Sequence, residues 1–174
     1  MSLSIRPAAF ADIPAITRIY DHAVQHGTAS FELTSPDEPE MKRRMAALFE
    51  GGFPYLAAES GHELLGYAYV GHYRTRPAYR FSVEDSIYIA PHAQRRGIGR
   101  ALLDRLIAES ESRGFRQMLA VIGDSANAAS IAVHRAAGFA PVGTIAAAGW
   151  KFDRWLDVVL MQRGLGAAAA TAPG

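Results

Sequence analysis

SVEDSIYIAPHAQRRGIGRALL, residues 82–103, runs from a strand through a turn into the start of a helix, and two carboxylates interrupt the strand. Alternation places Val83, Asp85, Ile87 and Ile89 on one strand face and Ser82, Glu84, Ser86 and Tyr88 on the other. Glu84 therefore shares the more polar face, where a cleft is expected. Asp85 shares the apolar face and needs a partner there, or a bulge that turns it outward. The turn that follows, Gln94-Arg95-Arg96-Gly97-Ile98-Gly99-Arg100, offers successive backbone N–H groups at a helix start. Such a nest binds an anion, and the positive end of the helix dipole reinforces it. Gly97 and Gly99 let a pyrophosphate come close to the backbone. No Gly-Lys-Ser/Thr follows and the full GxGxxG pattern is missing, so ATP and NAD are poor ligands for this loop. Taken alone, QRRGIGR reads equally well as a tight turn with solvated arginines.

Outward from this stretch, strand and helix signals mix along the chain. Ser4 to Arg6 reads as a short strand, and Asp12 as the N-cap of an amphipathic helix bearing Ile13, Ile16, Ile19, Tyr20 and Val24, ended by Gly27. Ser35-Pro36-Asp37-Glu38 starts a second helix that runs to about Glu50. Tyr55 to Glu59 and Leu64 to Tyr73 flank the turn Ser60-Gly61-His62 as a hairpin. After the opening stretch come a helix from about Gly99 to Arg113, a strand Gln117 to Ile122, and a helix from about Ala128 to Ala137. Strands near Pro141 to Ala146 and Trp155 to Gln162 close an α/β domain over residues 1–163. GLGAAAATAPG, residues 164–174, reads as a frayed, disordered tail.

Composition bounds the function. A chain of 174 residues with 49% hydrophobic content fits one globular domain. The net charge of +1 gives no global case for nucleic acid or an anionic membrane. Without cysteine there is no disulfide, thiolate metal site or acyl-cysteine intermediate. The six histidines show no metal-ligand spacing, so no metal is expected. The N-terminus lacks a targeting pattern, and no apolar run approaches the roughly 18 residues of a membrane helix. A soluble, cytoplasmic protein is expected.

The loop Gln94 to Ala101 resembles the acetyl-CoA loop of the GNAT acyltransferases. The ordered set VEDSIYI, QRRGIGRALL, Asn127-x-x-Ser130-x-x-x-His134 and Gly149-x-Lys151-x-x-x-Trp155 is similar to the phosphinothricin and methionine sulfoximine N-acetyltransferases, over about residues 3 to 163. The resemblance implies a mixed, mostly antiparallel central sheet flanked by about four helices, and a homodimer. It also implies transfer of acetyl from acetyl-CoA to the amine of a small amino-acid-like acceptor. Carried over residue by residue, it gives the cofactor to Ile87, Tyr88 and Ile89 through their backbone, to Gln94, Arg95, Arg96, Gly97, Ile98, Gly99 and Arg100, and to Asn127, Ser130 and His134. Phe31, Glu32, Lys151 and Trp155 match segments that wall the acceptor pocket.

The residues themselves carry a compatible chemistry. Acylating an amine requires a neutral nitrogen, so a base must remove the ammonium proton directly or through water, and Glu84 is the candidate. The tetrahedral oxyanion needs donors, which an interrupted strand supplies as free backbone N–H groups. His134 stands where many GNAT enzymes have a tyrosine. It is a candidate proton donor to the leaving thiolate or a cofactor contact. Arg74, Arg76 and Arg80 precede the strand, and a guanidinium fork suits a carboxylate or phosphinate; Arg74 and Arg76 are assigned to the acceptor beside Glu84. Two other readings stay open: an acetyltransferase of protein N-termini or lysines, and a non-catalytic acyl-CoA sensor.

Overall fold

The computed structural model describes residues 3–173. Seven strands form one sheet in the order β1-β2-β3-β4-β5-β7-β6. They are β1 (Leu3–Pro7), β2 (Tyr55–Ser60), β3 (Glu63–His72), β4 (Ser82–Ile89), β5 (Gln117–Gly123), β6 (Ala140–Lys151) and β7 (Arg154–Gly164). Every neighbouring pair is antiparallel except β4 and β5, which run parallel. Parallel neighbours need a crossover, and the helix α3 (Ile98–Ser112) supplies it. The remaining helices are α1 (Ile13–His26), α2 (Glu38–Glu50) and α4 (Ala128–Ala136). The mixed, mostly antiparallel sheet with four helices is the architecture expected from the sequence.

The alternation of β4 distributes the helices. Tyr88 meets Tyr20 of α1 edge to face, with ring centroids 5.0 Å apart. On the opposite face, Ile89 underlies Gly99 of α3. Thus α1 and α2 cover the Glu84 face, and α3 and α4 cover the Asp85 face. The α1 stripe Ile13, Ile16, Ile19, Tyr20 and Val24 is buried as its spacing predicts.

Local differences have physical causes. Asp12 does not cap α1 with its side chain. Its carboxylate instead accepts from Arg6 at 2.8 Å and from the Ala9 N–H at 2.8 Å. The cap of α2 is Asp37, which accepts from the Glu40 N–H at 2.9 Å, so this helix starts at Glu38, later than Ser35-Pro36 suggested. β6 is longer than its sequence signal because it pairs with β7 as far as Lys151 opposite Arg154. The segment expected as a frayed tail begins with Gly164, the last residue of β7, and continues with a fully buried Leu165, whose N–H donates to the Arg116 carbonyl. Further on, Arg116 donates to the Thr171 carbonyl and hydroxyl.

Candidate active site

The parallel pair opens a wedge in the sheet. Among the described residues β4 pairs with β5 only from Ser82 to Glu84, whereas its pairing with β3 continues to Ile89. The Ala90 N–H donates to Leu65 and the Tyr73 N–H to Ser82. This register turns the even-numbered residues of β4 toward β3 and leaves the N–H groups of Ile87 and Ile89 facing the wedge. The Tyr88 N–H points to β3, unlike those of Ile87 and Ile89, although Tyr88 also lines the wedge cavity. The Tyr88 ring is packed against Tyr20 and Tyr67. A cavity of about 110 Å³ fills the wedge, lined among others by Glu84, Ile87, Gly123, Asn127, Ser130 and His134.

The two carboxylates of the opening stretch have separate environments. Burial pushes the Glu84 carboxyl up to about 6, the Asp85 charge adds to the rise, and Arg74 opposes it. Asp85 finds the partner that the alternation demanded: its Oδ2 lies 2.9 Å from Nε2 of His134, and the two side chains are only 2% and 6% exposed. Nδ1 of His134 lies 2.8 Å from the Ser130 carbonyl oxygen, which only accepts, so Nδ1 carries a hydrogen. Both ring nitrogens are therefore bonded within the protein. Burial works against charge on His134, but the hydrogen bond and charge of Asp85, with the Ser130 carbonyl, hold the imidazole above its ordinary value.

Asn127 caps α4 with its side-chain oxygen, which accepts from the Ser130 N–H at 3.2 Å. Asp124 fixes the approach to that cap. It sits at φ +72, accepts from the Ala126 N–H at 2.9 Å, and pairs with Arg154 at 2.7 Å. These residues hold the helix start at the mouth of the wedge.

At the opposite end, Arg95 at φ +60 and Gly97 at φ +79 curl the loop into α3. Gln94, Arg95 and Arg96 are exposed, Ile98 is in the core and adds only backbone, and Arg100 is paired with Asp104 at 2.8 Å. A Cβ on Gly99 would make only ordinary contact with Ile89, at 3.8 Å. Gly99→Ala and Gly99→Val should thus fold, with Tm unchanged or raised for Ala because glycine costs a helix about 1 kcal/mol. Acetyl-CoA affinity should fall progressively from Gly to Ala to Val as side chains fill the approach to the nest. Calorimetry giving the parental affinity for both variants would remove the pyrophosphate from this loop.

The acceptor-side residues are placed unevenly. Arg74 and Arg76 are both exposed; the Arg74 charge acts on Glu84, while Arg76 stands just before a short turn of helix. Glu32 accepts from the Tyr20 hydroxyl at 2.7 Å and pairs with Arg44 at 2.6 Å. Neither Tyr20 nor Arg44 is singled out by a motif; Tyr20 reads as one more apolar position of α1. Phe31 rests against Gly123 and Gly149. The Lys151 ammonium is buried and donates to the carbonyls of Gly27 and Ser30, so it is not free to meet an acceptor. Trp155 is 61% exposed beside Trp150 and does not line the wedge cavity. Among the described residues no group of three or more metal-ligating side chains gathers, and no helix is long and apolar enough to cross a membrane.

A sheet wedged open between two parallel strands, with the Gly97–Gly99 turn at its α3 end, sets free strand N–H groups near an anion nest, which suits a group-transfer donor that carries phosphate. The model of the Acetyltransferase (GNAT) family matches residues 16–139. The chain belongs to that family and is an acetyl-CoA-dependent N-acetyltransferase. Among relatives it is 52% identical to a phosphinothricin N-acetyltransferase of Alcaligenes faecalis, over 98% of this chain and 86% of that one. It is 40% identical to an L-methionine sulfoximine/L-methionine sulfone acetyltransferase of Salmonella typhimurium, over 97% and 98%. A crystal structure of a phosphinothricin acetyltransferase from Sinorhizobium meliloti in complex with acetyl-CoA superposes with a TM-score of 0.97 at 46% identity, covering 100% of this chain and 94% of that one.

Proposed function

We propose that the protein acetylates the amino group of a small amino-acid-like acceptor such as phosphinothricin, methionine sulfoximine or methionine sulfone, by direct attack with Glu84 as base. The observation that carries this reading is the place of Glu84 on the wall of the wedge cavity next to Ile87, where burial raises its carboxyl to about 6 and the Arg74 charge opposes the rise. Glu84 takes a proton from the ammonium, and the amine attacks the thioester carbonyl carbon as the C–N bond forms. The Ile87 and Ile89 N–H groups stabilise the oxyanion. Collapse breaks the C–S bond, the nitrogen gives up its second proton, and the departing CoA thiolate takes that proton up through water. His134, with both nitrogens bonded inside the protein, holds the cofactor slot in this scheme rather than donating that proton. Arg74 receives the acceptor carboxylate, with Arg76 assisting from the exposed turn.

A panel of amino acids and short peptides, assayed for CoA release, tests the acceptor class. Phosphinothricin and the methionine derivatives should lead, and a peptide turned over in preference would overturn the reading. Arg74→Ala should raise the acceptor KM by roughly 10- to 100-fold, the worth of a charge-assisted hydrogen bond, and leave the acetyl-CoA KM near the parental value. We also propose that the active form is a homodimer. β6 ends the sheet and exposes Val142, Ile145 and Trp150, the kind of apolar edge that a second copy covers; sedimentation of a monomer at micromolar concentration would refute it.

A further inference from the structure

Lys151 is 4% exposed, and among the described residues no carboxylate lies within ion-pair distance of it. Burying an ammonium is costly and burial lowers its pKa, a cost that the Glu32 charge and the Phe152 ring, 4.9 Å away, partly offset. Its partners are two carbonyl oxygens, Ser30 at 2.7 Å and Gly27 at 2.9 Å, which straddle Ala29 in the loop between α1 and α2. Ala29 is itself a wall of the wedge cavity. Two residues further on, Phe31 occupies a slot that only glycines leave open. A Cβ on Gly149 would lie 2.5 Å from its ring, and one on Gly123 would lie 2.8 Å from the ring and 2.1 Å from the Thr28 carbonyl oxygen. Glu32, next along, is tied to Tyr20 of α1 and Arg44 of α2, the helices that cover the Glu84 face.

We infer that Lys151 is a positioning residue for acceptor specificity: by drawing the carbonyls of Gly27 and Ser30 onto the β6–β7 hairpin, it sets the wall of the amine side of the wedge without touching the acceptor. This rests on the acceptor reading above. The ammonium suits the task because it donates to two carbonyls at once, whereas the apolar methionine side chain of similar length donates to none. The anion nest lies at the Gly97–Gly99 turn, away from the loop, so the grip on the CoA pyrophosphate, and with it most of the acetyl-CoA affinity, should not depend on the loop.

Lys151→Met keeps the length and removes the donors. The acceptor KM should rise at least 10-fold, the acetyl-CoA KM should stay within about 2-fold, and bulkier amino acids should gain relative to phosphinothricin. Gly149→Ala dislodges Phe31 by an independent route and should produce the same split; the double variant should fall short of the product of the two. Should Lys151→Met fail to fold, the Gly149 variant carries the kinetic test. Amide hydrogen exchange reads the loop without any acceptor, and residues 28–32 should exchange at least 10-fold faster in Lys151→Met. Faster exchange alongside a parent that acetylates no amino acid would support the clamp and remove the acceptor class. Unchanged exchange, or an equal rise in both KM values, overturns the inference.

Discussion

Glu84→Gln should slow turnover at neutral pH by roughly 10²- to 10⁴-fold while the fold gains stability. The substitution keeps the shape and removes the proton acceptor. In the parent, the rate should fall on the acidic side with a midpoint near 6, where the carboxylate protonates. The variant should lack that limb, and its residual rate should climb with pH as more acceptor amine becomes free base. The stability change has the opposite sign. Because burial raises the Glu84 carboxyl above its ordinary 4.5, the folded state binds this proton more tightly than the unfolded chain. Its stabilising share is full below about 4.5 and is lost as pH rises through about 6. At pH 7 the parent therefore buries an uncomfortable charge that glutamine does not carry. A variant with the parental rate and acidic limb would take the base away from Glu84.

His134→Ala should cost about 3–5 kcal/mol, because it strands the Asp85 carboxylate in a site that is almost closed to water. For a chain of this length that is on the order of 10 °C in Tm. Asp85→Asn should also lose more stability than rate, since its neighbour Glu84 keeps the proton-accepting task. The pair links β4 to α4 across the wedge, so the two losses should couple strongly in a double-mutant cycle. His134 is held above its ordinary value, so its stabilising share is present below about 6.5 and fades as pH rises through the higher folded value. The stability gap between parent and His134→Ala should narrow accordingly at alkaline pH. Additive single losses, or a gap independent of pH, would dissolve the pair. A rate loss in Asp85→Asn larger than in Glu84→Gln would put the base on the other strand face.

Periodicity carried much of this protein. The two-residue alternation of β4 separated Glu84 from Asp85 and demanded a partner for the latter, because a carboxylate on a buried face is too costly to leave alone. The α1 stripe and the glycine turn before α3 were equally plain, since each depends on backbone geometry that neighbouring residues specify. Other features have no local signal. That β4 and β5 part after Glu84 is a matter of strand register, and it decides which N–H groups face the wedge: Ile87 and Ile89, with Tyr88 turned away. Lys151 and Glu32 read as acceptor-pocket residues only through the resemblance, because their segments match those that wall the pocket in the similar enzymes. Folding instead spent one on the carbonyls of Gly27 and Ser30 and the other on Tyr20 and Arg44. Element types and their apolar faces were legible in the chain because each depends on residues a few positions apart, and the motif resemblance added the residue types of the site. Which of those groups remain free to act depends on long-range folding, because His134 meets Asp85, and Lys151 meets Ser30, across separations of 49 and 121 residues that no local pattern records.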